Sequence, residues 1–155
     1  MDANNIIVGI DAICAEGGAF HVTRFVPSEQ WQAALYHPEI VPNHLLLIAE
    51  WNNQFAGSIR LFPGEAHTLY SHVADLGLFV LKPHRRLGIG FRLMEEALVW
   101  AGENQVEKIT LSVFATNTPA IRLYQKFGFK KEGRLMRQIK LGHEYIDFLQ
   151  LALFL

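Results

Sequence analysis

Apolar residues recur at helical spacing near the start of the chain. Ile6, Ile10 and Ile13 stand three or four positions apart, so they share one face of a predicted amphipathic helix over about 4–16. Gly17-Gly18 is expected to end this helix. Because no basic residues precede the apolar run, we interpret the segment as part of the domain and not as a signal peptide.

The rest of the chain alternates between strand and helix patterns. A short second helix is predicted after Pro27, with Ser28 as its N-cap and Trp31 on its inner face. Six segments have the composition of strands: 45–51, 54–62, 73–81, 108–114, 128–140 and 144–155. Two segments between them, 87–102 and 119–127, have helical stripes. The stripe of the first consists of Leu87, Phe91, Met94, Leu98 and Ala101. The order α-α-β-β-β-α-β-α-β-β predicts one mixed α/β domain over residues 1–155.

Composition narrows the class of protein without identifying it. Of the 155 residues, 50% are hydrophobic and 19% are charged, which is ordinary for a globular domain. The net charge of −1 predicts no general attraction for nucleic acid or for an anionic membrane. The apolar tail, 148–155, is too short to span a bilayer. Cys14 is the only cysteine, which excludes an internal disulfide and fits a reducing cytoplasm.

A glycine-containing loop between a predicted strand and a predicted helix is the first candidate for chemistry. Gly88 and Gly90 lack a Cβ, so the backbone there can turn tightly and present successive N–H groups to an anion at the start of a helix. The loop has neither the Gly-Lys-Ser/Thr of a P-loop nor the third glycine of a dinucleotide fingerprint. From the residues alone, a plain strand–helix turn with solvated arginines remains the alternative.

The segment 80–90, VLKPHRRLGIG, resembles motif A of the GNAT acetyltransferases. Pro83 stands one position later than in the usual pattern, but the spacing from Val80 to Gly88 is kept. The resemblance implies that the loop binds the CoA pyrophosphate, with amides from 86–91, and that the preceding strand binds the pantetheine arm. The implied loop residues are Arg85, Arg86, Leu87, Gly88, Ile89, Gly90 and Phe91. The implied strand residues are Leu78, Phe79 and Val80.

A second segment strengthens the resemblance. Residues 117–129, NTPAIRLYQKFGF, are similar at every defined position to the family's motif B, Asn-x-x-Ala-x-x-Leu-Tyr-x-Lys-x-Gly-Phe. The resemblance implies that Asn117 hydrogen-bonds the pantetheine arm, beside the helix-cap role that its residue type predicts. It also implies that Tyr124 is the general acid for the departing thiolate. Taken alone, Tyr124 would be an ordinary core tyrosine.

The acceptor side of the site is less defined by sequence. An alkylammonium has a pKa near 10.4 and must lose a proton before its nitrogen attacks, so this side needs a base. Asp75 is the first candidate base, since many relatives carry a glutamate at this distance before the Val80 position. A plain strand-end carboxylate is the alternative. His72 is second, because histidine titrates near neutrality. The segment 145–147, Tyr-Ile-Asp, either lines the acceptor pocket or satisfies strand-end hydrogen bonds. His67 and His72 are too isolated to predict a metal site.

The resemblance covers about 44–155 and implies a complete architecture. We expect an α/β (α+β) fold with a mixed, mostly antiparallel central sheet flanked by helices, and a CoA-binding core at about 73–130. Acetyl-CoA would be the co-substrate, with no metal. The acceptor would be a primary amine on a small molecule, peptide or protein.

Cys14 lies on a predicted helix far from both motifs, so we expect the amine to attack directly within a ternary complex. The alternative is a non-catalytic CoA-binding sensor or interaction module, since a fold does not guarantee chemistry. We expect no nucleic-acid or membrane partner. A homodimer through the C-terminal strands is common in the family.

Overall fold

The structure is a computed structural model that describes residues 3–16, 24–37 and 43–155. Six strands form one sheet in the order β1-β2-β3-β4-β6-β5. They are β1 (Leu45–Trp51), β2 (Gln54–Pro63), β3 (Val73–Val80), β4 (Lys108–Phe114), β5 (Lys130–Leu141) and β6 (Glu144–Phe154). Only the β3–β4 pair is parallel. The predicted mixed, mostly antiparallel sheet is confirmed.

Four α-helices flank the sheet in the described part of the chain. They are α1 (Ala3–Glu16), α2 (Glu29–Tyr36), α3 (Ile89–Glu103) and α4 (Thr118–Lys126). Ser28 caps α2 as predicted, because its side chain accepts a hydrogen bond from the Trp31 amide at 3.4 Å. None of the helices described is long and apolar enough to cross a bilayer.

The two faces of the sheet carry separate apolar cores. On one face, α3 and α4 pack on inward residues of the strands such as Ile59 and Leu61, both fully buried. Burying each of these side chains stabilises the fold by about 2 kcal/mol. On the other face, α1 packs its Ile6, Ile10 and Ile13 stripe against Phe79. The period-two alternation of β2 and β3 is what allows both faces to be covered.

The start of α3 differs from the sequence-based expectation. Gly88 is the N-cap and has φ +80°, so the helix begins at Ile89 and Leu87 lies outside it. Leu87 and Phe91, expected in the buried stripe, are 47% and 41% exposed. Met94 and Ala101 of the predicted stripe are buried, and Leu93 and Ala97 are the other buried residues of α3. The predicted helix stop at Gly17-Gly18 lies outside the described residues.

The parallel strands β3 and β4 separate after a short contact. They pair at only three positions, Val73–Asp75 with Lys108–Thr110. From Leu76 to Val80, β3 pairs with β2 alone among the described strands. On the edge of β3 that faces away from β2, the backbone groups of Leu76 and Leu78 therefore have no strand partner among the described residues, at the carboxyl ends of two parallel strands where α/β proteins commonly bind ligands.

Candidate active site

The loop before α3 presents a run of unpaired backbone donors. The Arg85 amide donates to Lys82 at 3.4 Å, and the Arg92 amide donates to Gly88 at 3.1 Å. Between them, the six amides of residues 86–91 have no hydrogen-bond acceptor within the described ranges. Both Arg86 (φ +64°) and Gly88 (φ +80°) have left-handed backbone conformations, which is how successive N–H groups form an anion-binding concavity.

The arginines of the loop differ in their contacts. The Arg85 guanidinium donates to Glu16 at 2.7 Å and to the Val80 carbonyl at 2.9 Å, so it ties the loop to α1 and to the end of β3. Arg92 pairs with Glu95 at 3.2 Å. Arg86 forms no ion pair with any described residue. The charge left for a bound anion is therefore centred on Arg86, while Arg85 fixes the backbone.

The two sequence motifs meet in space. A Cβ built on Gly90 would lie 3.4 Å from the side chain of Leu123 in α4 and 3.7 Å from that of Val80 in β3. The rings of Phe91 and Phe127 are 4.8 Å apart. The start of α3, the end of β3 and α4 thus converge on the glycine loop. The partial exposure of Phe91 follows from this position at the rim of the domain.

Tyr124 is the most buried residue of α4. It is 6% exposed, and its ring lies 5.7 Å from that of Phe129. Burial raises the pKa of the Tyr124 hydroxyl above its ordinary value, because the phenolate would lose its hydration. The hydroxyl has no hydrogen-bond partner among the described residues. It is therefore a protonated donor throughout the physiological pH range.

Asn117 caps α4, as its residue type predicts. Its side-chain oxygen accepts a hydrogen bond from the Ala120 amide at 3.4 Å. The side-chain amide group, which is a donor, has no partner within the described chain. Asn117 can therefore cap the helix and donate to a ligand at once.

Asp75 lies on the opposite face of the sheet from α4. Its side chain is 55% exposed, and one carboxylate oxygen is 2.7 Å from Nη2 of Arg60. His72, the second candidate base, is exposed just before β3, and its carbonyl accepts the Glu107 and Lys108 amides. Within residues 3–16, 24–37 and 43–155, no group of three or more His, Cys, Asp or Glu residues is suited to hold a metal ion.

Sequence reasoning missed Arg60. Its guanidinium carbon lies 4.9 Å from the Phe62 ring and 5.8 Å from the Trp31 ring. The register places Arg60 opposite Gly77, and a Cβ on Gly77 would lie only 2.8 Å from Nε of Arg60. Arg60 is the one charged residue of β2 and stands between Ile59 and Leu61, which was the available signal, but its partners required the strand register.

Asp147, in the Tyr-Ile-Asp segment, makes hydrogen bonds within the terminal hairpin. Asp147 accepts from Nε of Arg134 and from the Arg137 amide, each at 2.6 Å. The Arg137 amide, followed by Arg134, holds the pKa of this carboxyl below its usual value. The contacts fasten the irregular part of β5, where the register shifts between Leu135 and Ile139.

Cys14 is buried on α1. Burial, followed by the nearby Asp11 carboxylate, raises the pKa of the thiol. A thiol that is shielded and kept protonated is a poor nucleophile. This supports the expectation that Cys14 carries no acyl group.

Comparison with known proteins agrees with the motifs. A model of the acetyltransferase (GNAT) family matches residues 15–129. The L-amino acid N-acetyltransferase AaaT of Escherichia coli K12 is 36% identical over 83 residues, 53% of this chain and 51% of that protein. An N-alpha-acetyltransferase of Sulfurisphaera tokodaii is 30% identical over 123 residues, 77% of this chain and 66% of that protein. The chain thus spans between about half and two thirds of the length of these relatives.

Solved structures share the fold over almost the whole chain. A GNAT-family acetyltransferase of Streptococcus pneumoniae superposes with a TM-score of 0.88 at 23% identity, covering 99% of this chain and 94% of that one. The yncA protein of Salmonella typhimurium, solved with acetyl-CoA, superposes with a TM-score of 0.84 at 16% identity, covering 99% and 90%. At these identities the likeness concerns the fold.

Proposed function

Because the chain belongs to the GNAT acetyltransferase family, we propose that it transfers an acetyl group from acetyl-CoA to a primary amine. The observation that carries the proposal is the row of six amides at residues 86–91, which donate to none of the described residues. We place the activity in one domain, residues 1–155, with its CoA-binding core at about 73–130. We assign it to the cytoplasm, since its single cysteine suits a reducing compartment.

The residues of the loop fit a diphosphate. In this proposal the amides of 86–91 bind the CoA pyrophosphate, helped by the positive end of α3 and by Arg86. Each hydrogen bond to a charged oxygen contributes about 1.5–3 kcal/mol. Leu78, Phe79 and Val80 form the segment that binds the pantetheine arm, beside the edge of β3 that β4 leaves unpaired, and Asn117 adds a side-chain donor.

The chemistry uses both faces of the sheet. Acetyl-CoA supplies the thioester, and the acceptor nitrogen displaces the thiolate to give an amide and CoA. Tyr124, on the α4 face, donates a hydrogen bond and then a proton to the sulfur, whose thiol has an ordinary pKa near 8.5. Asp75, on the other face, accepts the proton of the amine directly or through water. In this proposal the thioester lies in the gap where β3 separates from β4, between the face of the sheet that carries Tyr124 and the face that carries Asp75.

The names of the relatives favour an α-amino acceptor. One is named for L-amino acids and the other for N-alpha acetylation. Both names describe transfer to an α-amino group, which is bonded to the α-carbon of an amino acid or of a chain's first residue. We therefore propose an α-amine as the acceptor class.

The experiment measures CoA release with a panel of amines, together with the mass of the product. We expect turnover that requires both substrates and adds one acetyl group to the amine. Protein incubated with acetyl-CoA alone should keep its intact mass, since Cys14 is buried. A stable acetyl-enzyme would contradict direct attack. Tight acetyl-CoA binding with no turnover on any amine would favour the non-catalytic module.

A further inference from the structure

Arg60 is held rigidly on the face of the sheet that carries Asp75. It crosses over Gly77, contacts Phe62 and Trp31, and donates from Nη2 to the Asp75 carboxylate at 2.7 Å and from Nη1 to the Asp75 carbonyl at 3.4 Å. Gly77 makes this placement possible, because any side chain there would collide with the guanidinium. The position of the cation is therefore set before a ligand arrives.

The guanidinium retains unused hydrogen-bonding capacity. Arginine has five N–H donors in a planar fork, and the two bonds to Asp75 leave the others without an acceptor in the described parts of the chain. Only 22% of the Arg60 side chain is exposed, so most of its surface is shielded by the residues around it. A planar cation beside two aromatic rings, with donors that no described residue accepts, is suited to bind a carboxylate.

The partner of Arg60 narrows the ligand further. Asp75 places a negative charge in direct contact with the positive charge of Arg60, and it is more than half exposed. An α-amino acid carries an ammonium and a carboxylate separated by a single carbon. It can therefore set its ammonium on Asp75 and its carboxylate on Arg60, with each charge paired. A monoamine or a peptide amino-terminus lacks the adjacent carboxylate.

We propose that Arg60 binds the α-carboxylate of the acceptor, so that the preferred acceptor is a free α-amino acid. This rests on the proposed acetyl transfer and on its assignment of Asp75 to the acceptor side. Arg60 sets specificity and does not take part in the chemical step. It therefore affects the KM of an amino acid more than its kcat.

The test compares acceptors that differ only at the carboxylate. For alanine, leucine and methionine, CoA release is measured with the free amino acid, its carboxamide and the corresponding decarboxylated amine. A carboxamide resembles a peptide amino-terminus, whose α-amine has a pKa near 8, so it offers more neutral amine than the decarboxylated amine does. We expect kcat/KM of the wild type to be at least about tenfold higher for the amino acid than for the carboxamide.

Three variants separate recognition from structural support. R60M should lower kcat/KM for the amino acids about 10- to 100-fold more than kcat/KM for the carboxamides, the range of one charged hydrogen bond, because any effect of the lost contact on Asp75 is common to both acceptors. R60K keeps the charge but loses the fork, so it should restore part of the preference. R134M removes the arginine of another Arg–Asp pair, in the terminal hairpin, and should leave the preference unchanged.

The outcomes distinguish this proposal from the proposed function. If R60M lowers kcat/KM equally for the amino acid and the carboxamide, Arg60 only supports Asp75 and the assignment is overturned. A higher kcat/KM of the wild type for the carboxamide than for the amino acid would also overturn it. Binding of leucine and leucinamide to the complex with CoA, measured by calorimetry, needs no turnover. Equal affinities there would overturn the assignment of Arg60. Absence of turnover, with leucine bound more tightly than leucinamide, would instead refute the transferase activity.

Discussion

The conformation of Gly88 provides the most direct test of the proposed pyrophosphate site. Gly88 has φ +80°, and a Cβ added to it would meet no atom within 4 Å. Gly88→Ala therefore introduces no steric clash, and its cost is that of placing an L-residue in the left-handed region, about 1–2 kcal/mol. For a chain of this length, that corresponds to a fall in melting temperature of a few degrees.

The variant can relieve the strain only by rotating the backbone of the loop. Such a rotation would turn the Gly88 amide, and the amides beside it, away from a common centre. Loss of one charge-assisted hydrogen bond, about 1.5–3 kcal/mol, raises the Kd for acetyl-CoA by roughly 10- to 150-fold. We expect a loss of affinity in this range.

Gly142 supplies a matched control. It lies in the turn between β5 and β6, has φ +61°, and is likewise open around its missing Cβ. Gly142→Ala should lower the melting temperature by a similar amount and leave the Kd for acetyl-CoA, measured by calorimetry, within about twofold of wild type. If Gly88→Ala binds acetyl-CoA as tightly as wild type despite its lower melting temperature, the amides of 86–91 do not hold the pyrophosphate.

Three further predictions follow from individual side chains. Tyr124→Phe should reduce kcat by about 10²–10⁴-fold and leave the Kd for acetyl-CoA within about threefold of wild type. Its melting temperature should not fall, because the lost hydroxyl has no hydrogen-bond partner among the described residues. An unchanged kcat would exclude the acid role. Since burial raises the pKa of Tyr124, its hydroxyl should stay protonated up to pH 10, and its ionisation should not lower kcat/KM between pH 7 and 10. A fall in kcat/KM over this range that is present in wild type and absent in Tyr124→Phe would contradict the reasoning. The pKa of Asp147 is lowered by the Arg137 amide and by Arg134, so the stability contributed by its carboxylate is present above the unfolded value of about 3.9 and is lost as pH falls through the folded value. Asp147→Asn should therefore be less stable than wild type to urea at pH 7, and the two should converge near pH 2; an equal gap at both pH values would be inconsistent with this.

The backbone geometry of the proposed CoA side was predictable because it is local in sequence. The left-handed conformation of Gly88 and the cap formed by Asn117 depend on residues within a few positions of each other. Glycine, helix caps and apolar periodicity report such conformations directly. The beginning of α3 was misplaced by two residues because Leu87 fits the helical stripe, and periodicity alone does not show that the Gly88 backbone interrupts it.

The acceptor side was not predictable to the same depth because it depends on register. Asp75 was singled out by resemblance, but its partner Arg60 lies in another strand, 15 positions earlier in the chain. The pairing of Arg60 with Gly77 and of Phe62 with Asp75 decides which side chains share the face. A shift of one residue in that pairing would place Arg60 among the buried side chains of the α3 and α4 core. The contact of Arg85 with Glu16 is more distant still, since the two residues are 69 positions apart in the chain.

This difference has a physical consequence for how the chain could acquire a new acceptor. The proposed acid, Tyr124, and the pyrophosphate amides lie on the side of the sheet that α3 and α4 cover, where close packing limits change. The proposed acceptor contacts, Arg60 and Asp75, lie on the other face and are only partly buried, so a substitution there alters charge recognition without opening a cavity in the core. In the proposed arrangement the acceptor side and the thioester side meet where β3 leaves β4, and different residues set acceptor choice and thioester binding. A change in acceptor preference with an unchanged Kd for acetyl-CoA is therefore the expected behaviour of Arg60 variants.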